Sequence, residues 1–261
     1  MGSDQYNDNY NYNEPQNGYY EQPGTYYGQP DIMSNMGAVS GQVRELLQQE
    51  VIAKSFLYMV AALAVTAVAA FTAPDLLAGW LARGRYNLII LFVAEIAIVI
   101  ASNVAMSKNN AAVSAILFTL YSYLTGATLG IIFWAYDLTS VGAVFLMTAG
   151  MFGVMAVYGL VTRKDLSSIG HICMMGIIGI IIASLVNVFI LHSTMFDLIV
   201  SLVGVGIFVA LTAYDVQKIK QRVYYATDEN VGVLALSGAF GLYLDFINIF
   251  LRLLRIFGKR R

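Results

Sequence analysis

Seven runs of mostly apolar residues, at 51–72, 87–106, 111–136, 141–162, 169–191, 196–219 and 232–257, dominate this chain. Each is long enough to cross the hydrocarbon of a bilayer, which takes roughly 20 residues of α-helix. Hydrocarbon offers no partner to an open N–H or C=O, so such a run must satisfy its own backbone by coiling into a helix. The connectors are short and carry the breakers and charges: Pro74 and Asp75, Arg83 to Arg85, Lys108 to Asn110, Arg163 to Asp165, His192 and Ser193, and residues 218–230. Short connectors make sequential helices antiparallel neighbours. The expectation is an all-α integral membrane protein, a seven-transmembrane-helix bundle over residues 38–261, with no separate soluble domain.

Composition agrees: 58% of the 261 residues are hydrophobic and 12% charged, against roughly 25% charged in soluble domains. Fifteen Lys and Arg offset sixteen Asp and Glu, and most cations flank apolar runs, so no basic surface is available for nucleic acid. Residues 1–37, rich in Tyr, Asn, Gln and Gly, hold no aliphatic run and read as a disordered tail. They lack the basic start and apolar core of a signal peptide. Cys173 is the single cysteine, within an apolar run, and excludes an intrachain disulfide. Small residues recur at Gly126 and Gly130, Gly150 and Gly153, and Gly176 and Gly179, and are expected to seat neighbouring helices.

Cytoplasmic connectors collect Lys and Arg. With a cytoplasmic N-terminus, Lys108, Arg163, Lys164, Lys218, Lys220 and Arg222 lie inside, and only Arg83 and Arg85 fall in outside connectors. Seven full crossings then put Arg252, Arg255, Lys259, Arg260 and Arg261 toward the outside, against that bias. Either the last segment is re-entrant or packing overrides the charges; the length of the last run favours seven crossings.

Three acids lie inside apolar runs: Glu95, Asp215 and Asp245. An ionised carboxylate in mid-membrane costs about 3 kcal/mol or more, so such a residue faces the bundle interior, a cavity or a partner. Each could simply hydrogen-bond across the bundle, and Asp215 could be interfacial. Asp215 and Asp245, however, sit on consecutive runs and are candidates to meet. Two desolvated carboxylates in reach of each other hold one proton between them and titrate as a unit, a proton-sensitive latch. Deprotonation would push the helices apart or recruit a cation, and Ca²⁺ takes oxygen ligands of this kind, making Asp215 and Asp245 candidates for transient Ca²⁺ binding.

Intramembrane aspartyl proteolysis fits less well. Tyr214-Asp215 suits such a dyad, but Tyr243 stands where the second half of that pattern needs glycine. His171 and His192 lack the neighbours of a zinc site. There is no Gly-x-Ser-x-Gly elbow and no phosphate-binding loop. No enzyme is expected. Trp80 and Trp134, near run ends, suit the membrane interface.

Three segments, TRKDLSS at 162–168, AYDVQKIK at 213–220 and LYLDFINIFLRLLR at 242–255, together resemble the Bax inhibitor-1 (transmembrane Bax inhibitor motif) family, most closely its bacterial YccA-like branch. The resemblance runs from residue 40 to the end. It implies a bundle whose last helix is surrounded by the other six, in a bacterial inner membrane. It also implies a pH-sensitive calcium leak, gated by the aspartate pair at Asp215 and Asp245, with Glu95 on the ion pathway and no cofactor beyond the Ca²⁺ that permeates or binds. Some members carry an arginine, three turns after that glutamate, that latches onto the sixth-helix aspartate. Met106 occupies that position here, and the nearest cation is Lys108. An alternative implied activity is that of a membrane modulator acting through protein partners, a membrane-bound AAA protease or cell-death regulators, with the N-terminal tail as the segment to engage them.

Overall fold

The computed structural model describes residues 32–84, 86–223 and 230–261, with side chains from residue 41 onward except Leu88. Residues 1–31 of the expected tail lie outside these. From Ile32 the chain is helical, so the first helix begins within the stretch read as tail. The helices are α1 (Ile32–Thr72), α2 (Pro74–Arg83), α3 (Asn87–Ser107), α4 (Ala111–Phe133), α5 (Leu138–Val161), α6 (Ser167–Val186), a π turn (Asn187–Leu191), α7 (Thr194–Arg222) and α8 (Val231–Phe257). Seven are long and apolar enough to cross a membrane: α1 from Gly41, α3, α4, α5, α6 with its π turn, α7 and α8. The extra helix, α2, forms where Pro74 was read as a breaker. Proline at a helix's first position loses no hydrogen bond and presets φ, so here it starts a helix.

Polar connectors cap what they join. The side chains of Asn110, Asp137 and Ser193 accept the N–H groups of Val113, Ser140 and Phe196 at the starts of α4, α5 and α7, at 3.1, 3.2 and 3.3 Å.

Within the compact unit from Gln42 to Arg261, α8 is the central helix. In its most apolar window 72% of residues are buried inside the bundle, against 11–33% in the other six spans. The outer helices α3 and α6 turn nearly all their aliphatic surface outward, the arrangement expected where hydrocarbon is the solvent. Aromatic rings on α4 and α5 (Phe118, Tyr121, Phe133, Phe145, Phe152) meet Phe240, Tyr243, Phe246 and Phe250 of α8 edge to face, with centroids 5.2–6.2 Å apart.

The glycine pairs divide. Gly126 and Gly130 of α4 lie so close to the carbonyls of Thr66 and Ala70 on α1 that no Cβ would fit. Gly150, Gly153 and Gly179 face open space, and Gly176 lies against Ile207. Spacing alone does not say which face of a helix meets a neighbour.

Helix α8 runs unbroken, and the chain beyond it is tied to the α4–α5 connector. Asp137 N–H donates to the Lys259 carbonyl at 2.9 Å, Arg261 N–H to the Ala135 carbonyl at 3.1 Å, and Lys259 N–H to Ser140 Oγ at 3.0 Å. The C-terminus therefore lies at the end of the bundle opposite the α3–α4 and α5–α6 connectors, and α8 is not re-entrant. Packing sets the place of its cations: Arg255 pairs with Asp197 of α7 at 2.9 Å, and Arg252 lies over the Phe208 ring and donates to the Val200 carbonyl at 3.3 Å.

Candidate functional site

Asp245 sits midway along α8, which packs against α1, α3, α4, α5 and α7. It is 2% exposed. Its Oδ2 has no hydrogen-bond partner; Cys173 of α6 and Thr212 of α7 lie near the carboxyl, and the Thr212 hydroxyl donates to the Phe208 carbonyl of its own helix at 2.9 Å. No cation faces it. A buried carboxylate with neither counterion nor full hydrogen bonding is among the costliest groups a protein can hold.

Asp215, on α7, is half-buried and turns toward α8 at Gly241, where a Cβ would come 2.9 Å from Asp215 Oδ2. The absent side chain at Gly241 makes room for the carboxyl. Gly241 and Asp245 are four residues apart, so they share a face of α8 about 6 Å apart. The fold thus brings the two aspartates together, one helical turn apart in depth. The two carboxyls are neighbours but share no hydrogen bond. On its other side Asp215 opens into a cavity of ≈ 170 Å³ lined by Asn103 of α3, Lys218 and Arg222 of α7, and Ser237 of α8, with Arg222 donating to Ser237 Oγ at 3.0 Å. Met106 packs against the core instead. Asn103, not Met106, is the α3 residue facing Asp215.

Glu95 stands apart from this pair. It lies two turns deeper on α3 than Asn103, about 12 Å along the axis, where Thr128 of α4 donates to its Oε1 at 3.1 Å. Tyr121 is its next polar neighbour and leads to Tyr243 of α8. The Tyr243 hydroxyl lies 2.7 Å from Thr66 Oγ1. The single Thr66 proton is directed at the Ala62 or Ser122 carbonyl, at 2.9 and 3.0 Å, so Tyr243 is the donor. Among the described residues no three His, Cys, Asp or Glu side chains gather as a metal cluster.

The sequence singled out neither Gln217 nor Asn103, and marked Tyr243 only as a mismatch to the protease pattern. Gln217 joins two of the segments quoted above: its Oε1 accepts the Leu166 N–H and its Nε2 donates to the Lys164 carbonyl, both at 2.8 Å. The available signal was a glutamine one turn from the cationic end of an apolar run, a position where a buried amide needs partners. In the same connector Asp165 takes hydrogen bonds from the hydroxyl and N–H of Ser167, which hold its carboxyl below the usual carboxylate range.

A seven-helix membrane bundle with a buried acid on its central helix and a second acid beside it defines the class. A family model described as "Inhibitor of apoptosis-promoting Bax1" matches residues 48–261. Similar proteins include the inner membrane protein YbhL of Escherichia coli K12, 44% identical over 218 residues that cover 82% of this chain and 93% of that one. The uncharacterized protein RP147 of Rickettsia prowazekii is 40% identical over 80% of this chain and 89% of its own length. An uncharacterized protein of Borreliella burgdorferi is 38% identical over 83% and 94%. The chain belongs to the Bax inhibitor family and is a multi-pass membrane protein.

Proposed function

We propose that this protein is a pH-sensitive calcium leak of the bacterial inner membrane, gated by Asp215 and Asp245. The observation that carries the reading is the buried Asp245 carboxyl, with its unpartnered Oδ2 on the central helix and Asp215 between it and a polar cavity. The packed arrangement tolerates Asp245 only in its neutral form, because no cation lies against it. In acid, both carboxyls carry protons and α7 and α8 stay closed on each other. As pH rises, ionisation of the pair demands water or a cation, and the helices part to admit it. The sign follows: protonation stabilises the closed state, and that stability is lost on going alkaline. Ca²⁺, entering past Asp215, is the cation that two carboxylates and helix carbonyls suit. Glu95, on the far side of Tyr121 and Tyr243, is a second station on the path. The N-terminus is cytoplasmic in this account, and the Asp215 cavity opens on that side.

Ca²⁺ influx into liposomes holding the purified protein, stepped over about pH 5 to 8, where a coupled pair titrates, tests this. Wild type should leak more as pH rises, and Asp215→Asn and Asp245→Asn should each remove that response. Unchanged pH dependence in both variants contradicts the gate. No flux from folded protein at any pH would move the function to the modulator reading and to partners of residues 1–37.

A further inference from the structure

At the end of the bundle opposite the Asp215 cavity, a second polar cavity of ≈ 460 Å³ opens between the α4–α5 connector, the π turn, and the ends of α7 and α8. Arg255, Arg260, His192, Asp197, Asn187 and Tyr136 line it. Asp197 is already paired with Arg255, through one nitrogen of the guanidinium only, so the pair is neutral and Arg255 keeps N–H groups to spare. Asn187 Oδ1 accepts the Ser193 N–H at 3.0 Å, which leaves its amide N–H groups free to donate.

Arg260 supplies the net charge. Its guanidinium makes no hydrogen bond or ion pair with any described residue. Chain ends are usually loose, yet the backbone on both sides of Arg260 is hydrogen-bonded to the α4–α5 connector, as the Lys259 and Arg261 contacts show. The fold thus fixes an unpaired cation at the mouth of a cavity rich in donors, whose one carboxylate is already used. The site lies level with the helix ends, where lipid headgroups begin.

We infer that this cavity binds a phosphoryl anion through Arg260 and the free edge of Arg255, with His192 and Asn187 as further donors. The fork of a guanidinium matches two phosphoryl oxygens. A lipid phosphodiester headgroup and free phosphate share this chemistry. The inference does not depend on the calcium reading.

The test uses the full-length protein in detergent. Native mass spectrometry would measure retention of phosphatidylglycerol against phosphatidylcholine, with and without added inorganic phosphate. Unfolding temperature would be followed with inorganic phosphate against chloride at equal ionic strength. Wild type should prefer phosphatidylglycerol or be stabilised by phosphate, and Arg260→Gln should bind about tenfold more weakly, the loss expected for one charge-assisted contact. Arg163→Gln, an exposed cation at the other end, should change nothing. Displacement of the lipid by inorganic phosphate assigns the site to the phosphoryl group in either form; retention despite phosphate assigns it to the lipid. No headgroup preference together with no phosphate effect, equal binding by Arg260→Gln, or an equal loss in Arg163→Gln overturns the inference.

Discussion

A polar residue in a membrane helix can be there to hold the bundle together or to do something, and Asp245 and Tyr243, two residues apart on α8, divide along that line. Tyr243 donates to Thr66 and ties α8 to α1; Tyr243→Phe should cost about 1 kcal/mol of stability, the usual worth of such a bond. Asp245 leaves its Oδ2 unpartnered, and the Thr212 hydroxyl beside it is bonded within its own helix. Asp245→Asn should therefore leave stability unchanged or raise it, because it removes a group that is expensive to bury. Steric-trapping or denaturant unfolding in mild detergent would measure both. A loss of more than about 2 kcal/mol in Asp245→Asn, as expected on breaking a fully satisfied buried network, would make Asp245 a structural residue. The sequence alone made all three acids visible, because a carboxylate in an apolar run is conspicuous. It did not distinguish Glu95, which accepts from the Thr128 hydroxyl, from Asp245, whose Oδ2 is unpartnered, because a partner on the next helix, 33 residues along the chain, leaves no local trace.

At the scale of helices, close approach is selective. The Gly126 and Gly130 face of α4 presses on α1 carbonyls, whereas Gly153 of α5 meets nothing within 4 Å. Gly126→Leu should push α4 off α1 and destabilise by at least the 1–3 kcal/mol or so typical of overpacking, while Gly153→Leu should be tolerated; comparable losses in both would contradict the packing described. Length and hydropathy set the seven crossings, and their bounds were legible to within a few residues except at the start of the first, which begins at Gly41 and not at Val51. Helix α2 and the π turn were not. Pro74 reads equally as a stop or a first-turn residue, and the π turn is a local change of hydrogen bonding that leaves hydropathy untouched. The 162–168 and 213–220 segments were recognisable separately. That one clamps the other, through Gln217, depends on a fold that brings them together across some fifty residues of sequence.

For the whole molecule, α8 is both the axis of the bundle and the carrier of the acid, so a change at Asp245 reaches every helix packed on it. Its full crossing also fixes the sides. Cysteines introduced at Lys108 and Lys259, with Cys173 replaced by serine, should react with a membrane-impermeant reagent from opposite faces of the bilayer. Labelling of both from one face would restore a re-entrant last segment. A gate of this kind requires Asp245 to change its protonation as the leak opens. Difference infrared spectroscopy of the protonated carboxyl C=O band, recorded on the reconstituted protein across the pH range of the flux assay, reads this directly. The predicted result is a band that is present in acid, absent in Asp245→Asn, and lost with the same midpoint at which Ca²⁺ flux rises. A band assigned to Asp245 that stays constant while the flux changes would contradict the gate.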